Sequence, residues 1–552
     1  MRIVVIGSVA AGTSAAAKAR RNDESAEIVI YEKDRDISYS GCGLPYYIGG
    51  VVKERAKLTP RDEAFFKQRY NIDVFTGHSV ADIDTASKTL SIVNMATGEQ
   101  FEDRYDKLLI ATGAHPIMPP IPGIDKPNVF PLRNVAHADA INEFIQQKQP
   151  RHAVIIGGGF IGLEMAENLV HRGIAVDLAD MAPQVMTPLD PDMAIYVQQY
   201  LERNGVKLYL GHAVEELLGD EEVDTVRLAG GIEIETDMVI MAIGIRPEVE
   251  LAKRAGIALG PTGAIAVDTR MQTNVPDIYA AGDCAEAFSV INGKPLYRPL
   301  GSTANKMGRI AGDQMTGGDL EFRGILGTGI FKTFDMAVAQ TGLSEKEAKA
   351  QGYDVVVCHN IKYDHADYYP DSAEMVIKAV ADKTTHKILG AQIVGPRGVD
   401  KRIDVFVTAI TFGAKAEDLF HLDLAYAPPF STAKDPVMYT GMILEGILKR
   451  QRPLMTPDQL IQRQMAGEPV TIIDTREPEM YEKGHIEGAV NIPLEDLRSE
   501  AGKLDKNIPV VTYCNRGVTG NAAQNLLLQM GFKEVYNLSG GYNNYKVQRK
   551  RC

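Results

Sequence analysis

An internal repeat constrains the fold of this chain more than any other feature of the sequence. RIVVIGSVAAG (residues 2–12) recurs as HAVIIGGGFIG (residues 152–162), and each copy has an apolar run, a glycine turn and a helical pattern. Each copy leads into a second apolar run that ends in an acid, Glu32 in the first and Asp180 in the second. This order is typical of a dinucleotide-binding fold, so the repeat predicts two such folds.

The residues of the two turns are the predicted nucleotide contacts. The first glycine of such a turn bends the chain, the second lets the backbone approach the pyrophosphate, and the third lets the helix pack on the strand. The amino end of the helix then faces the anion. The second copy has all three glycines, whereas valine holds the middle position of the first. The expected contacts are Gly7, Val9, Ala10, Ala11 and Gly12 in the first turn, and Gly157, Gly159, Phe160, Ile161 and Gly162 in the second.

The acids that follow the turns predict how each nucleotide is held. A carboxylate in this position accepts hydrogen bonds from a ribose diol and repels a 2′-phosphate. Glu32 is therefore expected to contact a ribose, and Asp180 favours NADH over NADPH.

Composition excludes several other classes of protein. A net charge of −13 argues against general nucleic-acid binding, which needs a basic surface. The five cysteines are odd in number, irregularly spaced and without a CxxC pair, so they predict neither a disulfide framework nor a metal site. No signal peptide precedes the first strand, and no apolar run approaches the ~18 residues of a membrane span. We therefore expect a cytoplasmic protein that binds neither nucleic acid nor membrane.

This order of motifs resembles the pyridine nucleotide–disulfide oxidoreductase flavoproteins over about residues 1–445. The resemblance implies FAD in the first nucleotide fold and NAD(P)H in the second. AAGDCAE resembles the family's second FAD motif, whose acid binds the ribityl chain of the flavin, and that acid is Asp283 here. The further cofactor contacts expected on this basis are Lys33, Ala111, Thr112, Gly113, Gly244 and Gly282.

Cys42, within SYSGCGLPYYIGG (residues 38–50), is the predicted redox residue. Glutathione-reductase-like members have CxxxxC here, whereas this chain has one cysteine, which must cycle through a mixed disulfide, a persulfide or a sulfenic acid. The segment resembles the coenzyme A–disulfide reductases. NADH peroxidases and oxidases also use a single cysteine and remain an alternative, although Ala10 and Ala11 stand where they usually have a histidine.

Two later segments, HADYYP (residues 365–370) and LAYAPPFSTAKDP (residues 424–436), resemble the dimerisation domain of the same subfamily. The resemblance implies a homodimer in which tyrosines of the partner reach the cysteine–flavin site. These are Tyr368, with Tyr369 as an alternative, and Tyr426. A phenol in this position donates a proton to a departing thiolate.

Coenzyme A carries three phosphates, so a basic track is expected beside the site. Lys18 and Arg21 lie on one face of the first helical pattern. The subfamily resemblance adds four polar contacts with this substrate, namely Ser14, Ser38, Asn305 and Lys434.

The C-terminal part resembles the rhodanese family, from DTREPEMYEKGHIEGAVNIP (residues 474–493) to NLSGGY (residues 537–542). Cys514 follows a buried strand and begins a loop that opens a helix, where backbone N–H groups stabilise a thiolate or a persulfide. Thr519 replaces the arginine of many rhodaneses, and because that cation is missing, a persulfide is a better expected donor than thiosulfate. Arg516, inside the loop, is the candidate for electrostatic compensation. The residues of the expected loop are Asn515, Arg516, Gly517, Val518 and Thr519.

The sequence therefore predicts an α/β chain with two Rossmann-like folds, an α+β dimerisation domain and an α/β rhodanese domain. The expected bounds are 1–112 with 246–323 for FAD, 113–245 for NAD(P)H, 324–448 for dimerisation, 449–460 for a linker and 461–552 for rhodanese. The expected activity is reduction of coenzyme A persulfide, coenzyme A disulfide or polysulfide. The alternatives are an NADH oxidase or peroxidase, and a sulfane-sulfur carrier or sensor with a vestigial flavin site.

Overall fold

The computed structural model describes residues 1–551 of the chain, which form two compact units. The first unit contains Met1–Val185 and Gly205–Gly327, and the second contains Met186–Asn204 and the chain from Thr328 onward. Among the described residues, no helix combines the length and the apolar character that crossing a membrane requires.

The first unit contains two parallel five-stranded sheets, one for each copy of the sequence repeat. Their central strands, Arg2–Ile6 and His152–Ile156, are buried almost throughout, as expected for strands covered on both faces. In spatial order the first sheet is Ile278–Ala280, Lys107–Ile110, Arg2–Ile6, Glu27–Tyr31 and Asp73–Phe75. The second is Lys207–Leu210, Ala175–Asp180, His152–Ile156, Met238–Met241 and Val129–Pro131.

Helices and small antiparallel sheets complete this unit. The helices are Ala10–Asn22, Leu44–Ile48, Glu63–Tyr70, Val135–Lys148, Phe160–His171, Glu250–Arg254 and Gly301–Met315. The two three-stranded sheets are His78–Asp84, Thr89–Asn94 and Gln100–Arg104, and Val214–Leu218, Thr225–Leu228 and Ile232–Glu235. The short strand pairs are Ala114–Pro116 with Ile245–Pro247, and Ala287–Phe288 with Pro295–Leu296.

The second unit contains an antiparallel five-stranded sheet, which belongs to the predicted α+β domain. Its spatial order is Gly329–Thr333, Met336–Gly342, Ile388–Gly395, Glu374–Asp382 and Val355–Tyr363. The helices of this part are Pro191–Arg203, Glu345–Ala350, Val399–Thr411 and Pro436–Arg450. Short turns join Gly329–Thr333 to Met336–Gly342 and Glu374–Asp382 to Ile388–Gly395, so each of these two pairs forms antiparallel neighbours.

A parallel five-stranded sheet forms the C-terminal domain of the second unit. Its spatial order is Leu454–Met455, Val535–Leu538, Val510–Tyr513, Thr471–Asp474 and Ala489–Asn491. Its helices are Pro457–Met465, Pro478–Glu482, Leu497–Glu500, Val518–Gln529 and Gly541–Gln548.

The segment predicted as a linker, 449–460, is mostly part of this domain. Leu454–Met455 pairs with Val535–Leu538, and the helix Pro457–Met465 starts with a capping box at Thr456. One of the two prolines that indicated a linker, Pro457, occupies the first turn of that helix, where its missing N–H is tolerated. The connection between the two domains is therefore shorter than the sequence predicted.

Buried and partly buried hydrogen bonds hold the C-terminal domain against the rest of the second unit. The backbone N–H of His359 donates to Ser539 Oγ at 2.8 Å. Tyr196 Oη donates to Asn544 Oδ1 at 2.8 Å. Because buried polar groups are costly to separate from their partners, these bonds give the domain a defined position within this unit.

Candidate active sites

The first glycine turn leaves no room for side chains at its two glycines. Gly7 has a φ of +102°, and a Cβ there would collide with the carbonyl oxygen of Ala111. A Cβ at Gly12 would collide with the carbonyl oxygen of Gly7. The helix that follows begins after Val9 without a side-chain cap, so its first N–H groups are left for another acceptor. This arrangement fits the phosphates of a dinucleotide.

Glu32 lies beside this turn and is almost completely buried. Burial raises the pKa of its carboxyl group, although hydrogen bonds from Asp34 and Ser8 oppose the shift. The backbone N–H and the hydroxyl of Ser8 both donate to Glu32 Oε2 at 2.8 Å. Lys33, beside it, is exposed. The glycine turn and the carboxylate are therefore fixed to each other at the place where a ribose is expected.

Asp283 lies close to the same turn through its neighbour Gly282. Gly282 has a φ of +86°, and a Cβ there would lie 2.9 Å from the Cβ of Ala11. The guanidinium of Arg133 donates to Asp283 Oδ2 at 2.8 Å. Arg133 was missed in the sequence because nothing local marks it as a partner of this acid. The first unit thus gathers three predicted cofactor segments around one turn.

The second turn repeats the geometry of the first. Gly157 has a φ of +112°, and a Cβ at Gly162 would collide with the carbonyl oxygen of Gly157. Gly159 precedes the uncapped helix Phe160–His171 and faces open space. Asp180 Oδ2 accepts the backbone N–H of Gly158 at 2.7 Å, which places its carboxylate at the turn. These features fit a second dinucleotide.

The other predicted cofactor contacts follow strands beside the two turns. Ala111, Thr112 and Gly113 follow the strand Lys107–Ile110, and Gly244 follows Met238–Met241. Both strands pair directly with the central strand of their sheet. The hydroxyl of Thr112 donates to the carbonyl oxygen of Glu248 at 2.7 Å, so this side chain has a structural partner.

Cys42 lies in the 3₁₀ turn Gly41–Gly43 and is exposed. Desolvation, followed by the carboxylates of Glu164 and Asp283, raises the pKa of its thiol, while Arg133 opposes this shift. The protein groups around Cys42 therefore disfavour its free thiolate.

Glu164 is a second titratable group of this environment that the sequence analysis missed. Burial raises the pKa of its carboxyl group to about 7, and a hydrogen bond from Tyr46 opposes the shift. Tyr46 Oη donates to Glu164 Oε1 at 3.3 Å. The signal was present in the sequence, because Glu164 lies one helical turn after Phe160 in the helix that follows the second glycine turn.

Close packing of two helices brings together two of the residues expected to contact coenzyme A. A Cβ at Gly308 or Gly312 would collide with the backbone of the helix Ala10–Asn22. This close approach lets Ser14 Oγ donate to Asn305 Oδ1 at 2.6 Å.

The basic residues expected near the same substrate differ in their surroundings. The ammonium of Lys18 pairs with Asp313 at 2.9 Å, which offsets its charge, whereas Arg21 is exposed. Ser38 has a φ of +49° and accepts a hydrogen bond from Arg61 at 3.4 Å, which adds a cation that sequence reasoning missed. Lys434 belongs to the second unit, where its ammonium lies 5.8 Å from the ring centre of Tyr439.

The two predicted catalytic tyrosines lie together on the surface of the second unit. Tyr368 is 74% exposed and Tyr426 is 51% exposed. A hydrogen bond between their hydroxyl groups raises the pKa of Tyr368. The alternative, Tyr369, packs edge-on against His365 at 5.7 Å instead. The geometry therefore favours Tyr368 as the companion of Tyr426.

Cys514 lies at the centre of a ring of hydrogen-bond donors. Its side chain is only 7% exposed, and this burial acts to raise the pKa of the thiol. Hydrogen bonds from the hydroxyl of Thr519 and from the backbone N–H groups of Gly520, Arg516 and Gly517 outweigh burial, so the pKa is lowered. The N–H of Gly517 lies 3.1 Å from the sulfur. The donors of the loop therefore favour the thiolate form of Cys514.

The rest of the C-terminal domain supports this loop. The carbonyl oxygen of Cys514 accepts the N–H of Tyr542 at 2.8 Å, and a Cβ at Gly541 would collide with the same oxygen. Arg476 forms an ion pair with Asp474 at 2.5 Å and donates a hydrogen bond to Asn515 Oδ1 at 3.1 Å. The sequence pattern assigned no role to this arginine, although it lies only two residues after Asp474 in DTRE.

Family models match most of the chain. Residues 1–308 match the pyridine nucleotide-disulphide oxidoreductase model, residues 329–436 match the dimerisation domain of that group, and residues 456–548 match the rhodanese-like domain. The chain belongs to the pyridine nucleotide-disulphide oxidoreductase family and carries a rhodanese-like domain at its C-terminal end. It is a flavoprotein oxidoreductase with FAD and NAD(P)H as cofactors, as the resemblance of its motifs implied.

Two solved structures are similar over nearly the whole chain. Reduced CoADR-RHD of Bacillus anthracis is 41% identical with a TM-score of 0.97, covering 100% of this chain and 98% of that one. An NAD-dependent persulfide reductase from A. fulgidus is 38% identical with a TM-score of 0.92, covering 99% and 100%. These matches confirm the predicted fold class.

Two curated relatives match about four-fifths of the chain. An NADH oxidase of Methanocaldococcus jannaschii is 38% identical over 82% of this chain and 99% of its own length. A coenzyme A-dependent NAD(P)H sulfur oxidoreductase of Pyrococcus furiosus is 38% identical over 80% and 99%.

Proposed function

We propose that this chain forms a homodimeric, NAD(P)H-driven reductase of coenzyme A persulfide, coenzyme A disulfide or polysulfide. Cys42 is its redox residue, and Cys514 carries sulfane sulfur. The observation that carries the proposal is the presence, in one chain, of two free cysteines with different surroundings. Cys42 is an exposed thiol that forms no disulfide with any described cysteine, and Cys514 lies in a loop that stabilises a thiolate.

The first unit has the residues that this activity needs for cofactor binding. Gly7 and Gly12 let a pyrophosphate approach the backbone, Glu32 accepts hydrogen bonds from a ribose, and Asp283 contacts the ribityl chain. Gly157, Gly159 and Asp180 have the corresponding roles for the nicotinamide dinucleotide. Bound FAD and NAD(P)H supply the transfer of hydride and of an electron pair to sulfur.

The sulfur chemistry belongs to the side chains. The thiolate of Cys42 attacks the sulfur–sulfur bond of the substrate, and a thiolate leaves. Tyr368 and Tyr426 of the partner subunit donate a proton to the leaving sulfur. Ser14, Ser38, Asn305, Arg21 and Lys434 hold the phosphates and amides of coenzyme A, and Lys18 assists in spite of its pairing with Asp313.

An NADH oxidase is the second function to weigh, because one curated relative has that name. Two features favour the sulfur reductase. Ala10 and Ala11 leave no histidine at the first glycine turn, and the intact Cys514 loop has no use in reducing oxygen. The intact glycine turns likewise argue against the alternative of a sulfane-sulfur carrier with a vestigial flavin site.

The test compares substrates and the Cys42→Ser variant at equal flavin content. NADH consumption should depend on coenzyme A persulfide, coenzyme A disulfide or polysulfide, and the variant should lose all three activities while NADH still bleaches the flavin. Ser40→Ala, two residues away, is the matched control and should retain turnover. Oxygen consumption by the wild type at the same rate without any sulfur substrate would establish the oxidase instead.

A further inference from the structure

A cavity of about 360 Å³ lies beside the Cys514 loop, and two domains of the second unit form its walls. Asn515 and Arg516 contribute the loop that follows Cys514. Tyr363 and Glu374, from two neighbouring strands of the antiparallel sheet, contribute the opposite wall. The volume falls within the ~300–1,000 Å³ that small-molecule pockets usually have. The sulfur-carrying loop therefore faces a space that the rhodanese-like domain does not enclose by itself.

The contacts of Arg516 join the two walls. Its guanidinium lies 3.4 Å from Glu374 Oε1 and 4.7 Å from the ring centre of Tyr363. Asn543 donates to the other oxygen of Glu374 at 3.3 Å. Since the backbone N–H of Arg516 also donates to the Cys514 sulfur, these contacts fix one edge of the cavity to the nucleophile.

The cavity holds more positive than negative charge. Lys483 and Lys546 both line it and are exposed, and neither has a carboxylate within ion-pair distance among residues 1–551. Arg476 also lines it but is neutralised by Asp474, and Glu374 is occupied by Arg516. Two uncompensated ammonium groups therefore face the cavity.

Lys362, which adjoins the lining residue Tyr363 without lining the cavity itself, also senses the positive charge of this region. Lys362 adjoins Tyr363 in the same strand, and its ammonium lies 3.7 Å from the ring centre of Tyr439. Burial, and then the positive charge of Arg516, lower its pKa to about 8, although Cys514 opposes this shift. Mutual repulsion among cations of this kind is relieved when an anion binds.

We propose that this cavity binds the phosphate groups of the thiol that takes sulfur from Cys514, with Lys483 and Lys546 as the phosphate ligands. The inference rests on the proposed function, in which Cys514 carries sulfane sulfur. It names a phosphorylated thiol, rather than a small inorganic anion, as the acceptor at this site. Lysine ammonium groups bind phosphate as point charges, which suits two exposed lysines on flexible stems.

The transfer step is balanced without any oxidant. The thiolate of the acceptor attacks the outer sulfur of the Cys514 persulfide, and a new sulfur–sulfur bond forms. The bond between that sulfur and Cys514 Sγ breaks, and its electron pair remains on Sγ as a thiolate. The donors around Cys514 stabilise this leaving thiolate, and the acceptor departs as a persulfide.

The first test measures the charge selectivity of Cys514 independently of sulfur transfer. In a Cys42→Ser background, the Cys514 peptide is followed by mass spectrometry during alkylation by iodoacetate and by iodoacetamide. The K483Q/K546Q double variant should lower the ratio of the rate constant for iodoacetate to that for iodoacetamide by about fivefold, because only the anionic iodoacetate is attracted by the lysines. The control variant K503Q/K533Q removes two lysines of the same domain outside the cavity and should leave the ratio unchanged. An unchanged ratio in K483Q/K546Q would overturn the proposal.

The second test compares coenzyme A with pantetheine, the same thiol arm without its phosphates, as acceptors from polysulfide-loaded Cys514. K483Q/K546Q should raise the KM for coenzyme A about tenfold and leave the kinetics with pantetheine unchanged. Equal losses with both acceptors would overturn the phosphate assignment. If the wild-type protein is charge-selective in alkylation but transfers sulfur to neither thiol, the proposed function is contradicted. The assignment of Lys483 and Lys546 to an anion site is then still supported.

Discussion

At the scale of single residues, Thr519 has a different role from the arginine that it replaces. Its hydroxyl is a direct donor to the Cys514 sulfur and the strongest of the groups that lower the pKa of this thiol. Arg516 does not take over as a free cation beside the sulfur, since its guanidinium is held by Glu374 and Tyr363. The loop thus stabilises the thiolate with local dipoles.

Removing the Thr519 hydroxyl should therefore raise the pKa of Cys514. In Thr519→Val, the pH midpoint for alkylation of Cys514 by iodoacetamide should move upward, because burial then acts with one fewer donor opposing it. The measurement is the rate of modification of the Cys514 peptide against pH. Thr519→Ser keeps the hydroxyl and should behave like the wild type. A midpoint that is the same in Thr519→Val and the wild type would show that the backbone donors suffice.

Asp180 should set the choice of nicotinamide dinucleotide. Its carboxylate is fixed at the second glycine turn by the N–H groups of Gly158 and Ala182, where it repels a 2′-phosphate. We expect kcat/KM to be higher for NADH than for NADPH. Asp180→Asn keeps an acceptor for the backbone but removes the charge, and should reduce this preference about tenfold, or about 1.4 kcal/mol. Asp220→Ala, at an exposed position, is the control. A wild-type preference for NADPH would contradict the assignment.

At the scale of elements, the position of the rhodanese-like domain depends on a few buried polar contacts. Ser539 lies just after the strand Val535–Leu538, and its hydroxyl accepts the backbone N–H of His359 from the antiparallel sheet. Both residues are almost completely buried. A buried N–H without a partner costs about 1–3 kcal/mol.

Ser539→Ala should therefore lower stability by about 1–3 kcal/mol, because it leaves that N–H without its acceptor. Calorimetry should show a lower Tm for the transition that includes the C-terminal domain. Ser499→Ala, at an exposed serine of the same domain, should leave the Tm unchanged. If both variants melt like the wild type, the contact between the domains does not contribute to stability.

At the scale of the whole molecule, the proposed dimer makes a prediction about complementation. The exposed pair Tyr368 and Tyr426 is assigned to the partner's Cys42 site, so each active site needs two subunits. We expect Y368F/Y426F and Cys42→Ser to be nearly inactive alone, since loss of a general acid typically costs 10²–10⁴-fold.

Co-expression of the two variants should restore about a quarter of wild-type activity, because half of random dimers are mixed and one of their two sites is complete. The measurement is turnover of coenzyme A disulfide at equal flavin content. Tyr369→Phe is the control for a neighbouring exposed tyrosine. Absence of any recovery in mixed dimers would place the tyrosines at the cysteine of their own subunit.

The two nucleotide folds and both candidate cysteines could be predicted from the amino-acid sequence alone. The reason is that their geometry is local: the collision of a Cβ at Gly12 with the carbonyl of Gly7 involves residues five apart, and the donors to Cys514 lie within six residues of it. In contrast, the contact of Arg133 with Asp283, 150 residues away, and that of Ser14 with Asn305, 291 residues away, became visible in the folded chain. The tertiary structure also places Tyr363 and Glu374 at a cavity beside the Cys514 loop. Such contacts arise from the packing of distant elements, which no spacing along the chain encodes.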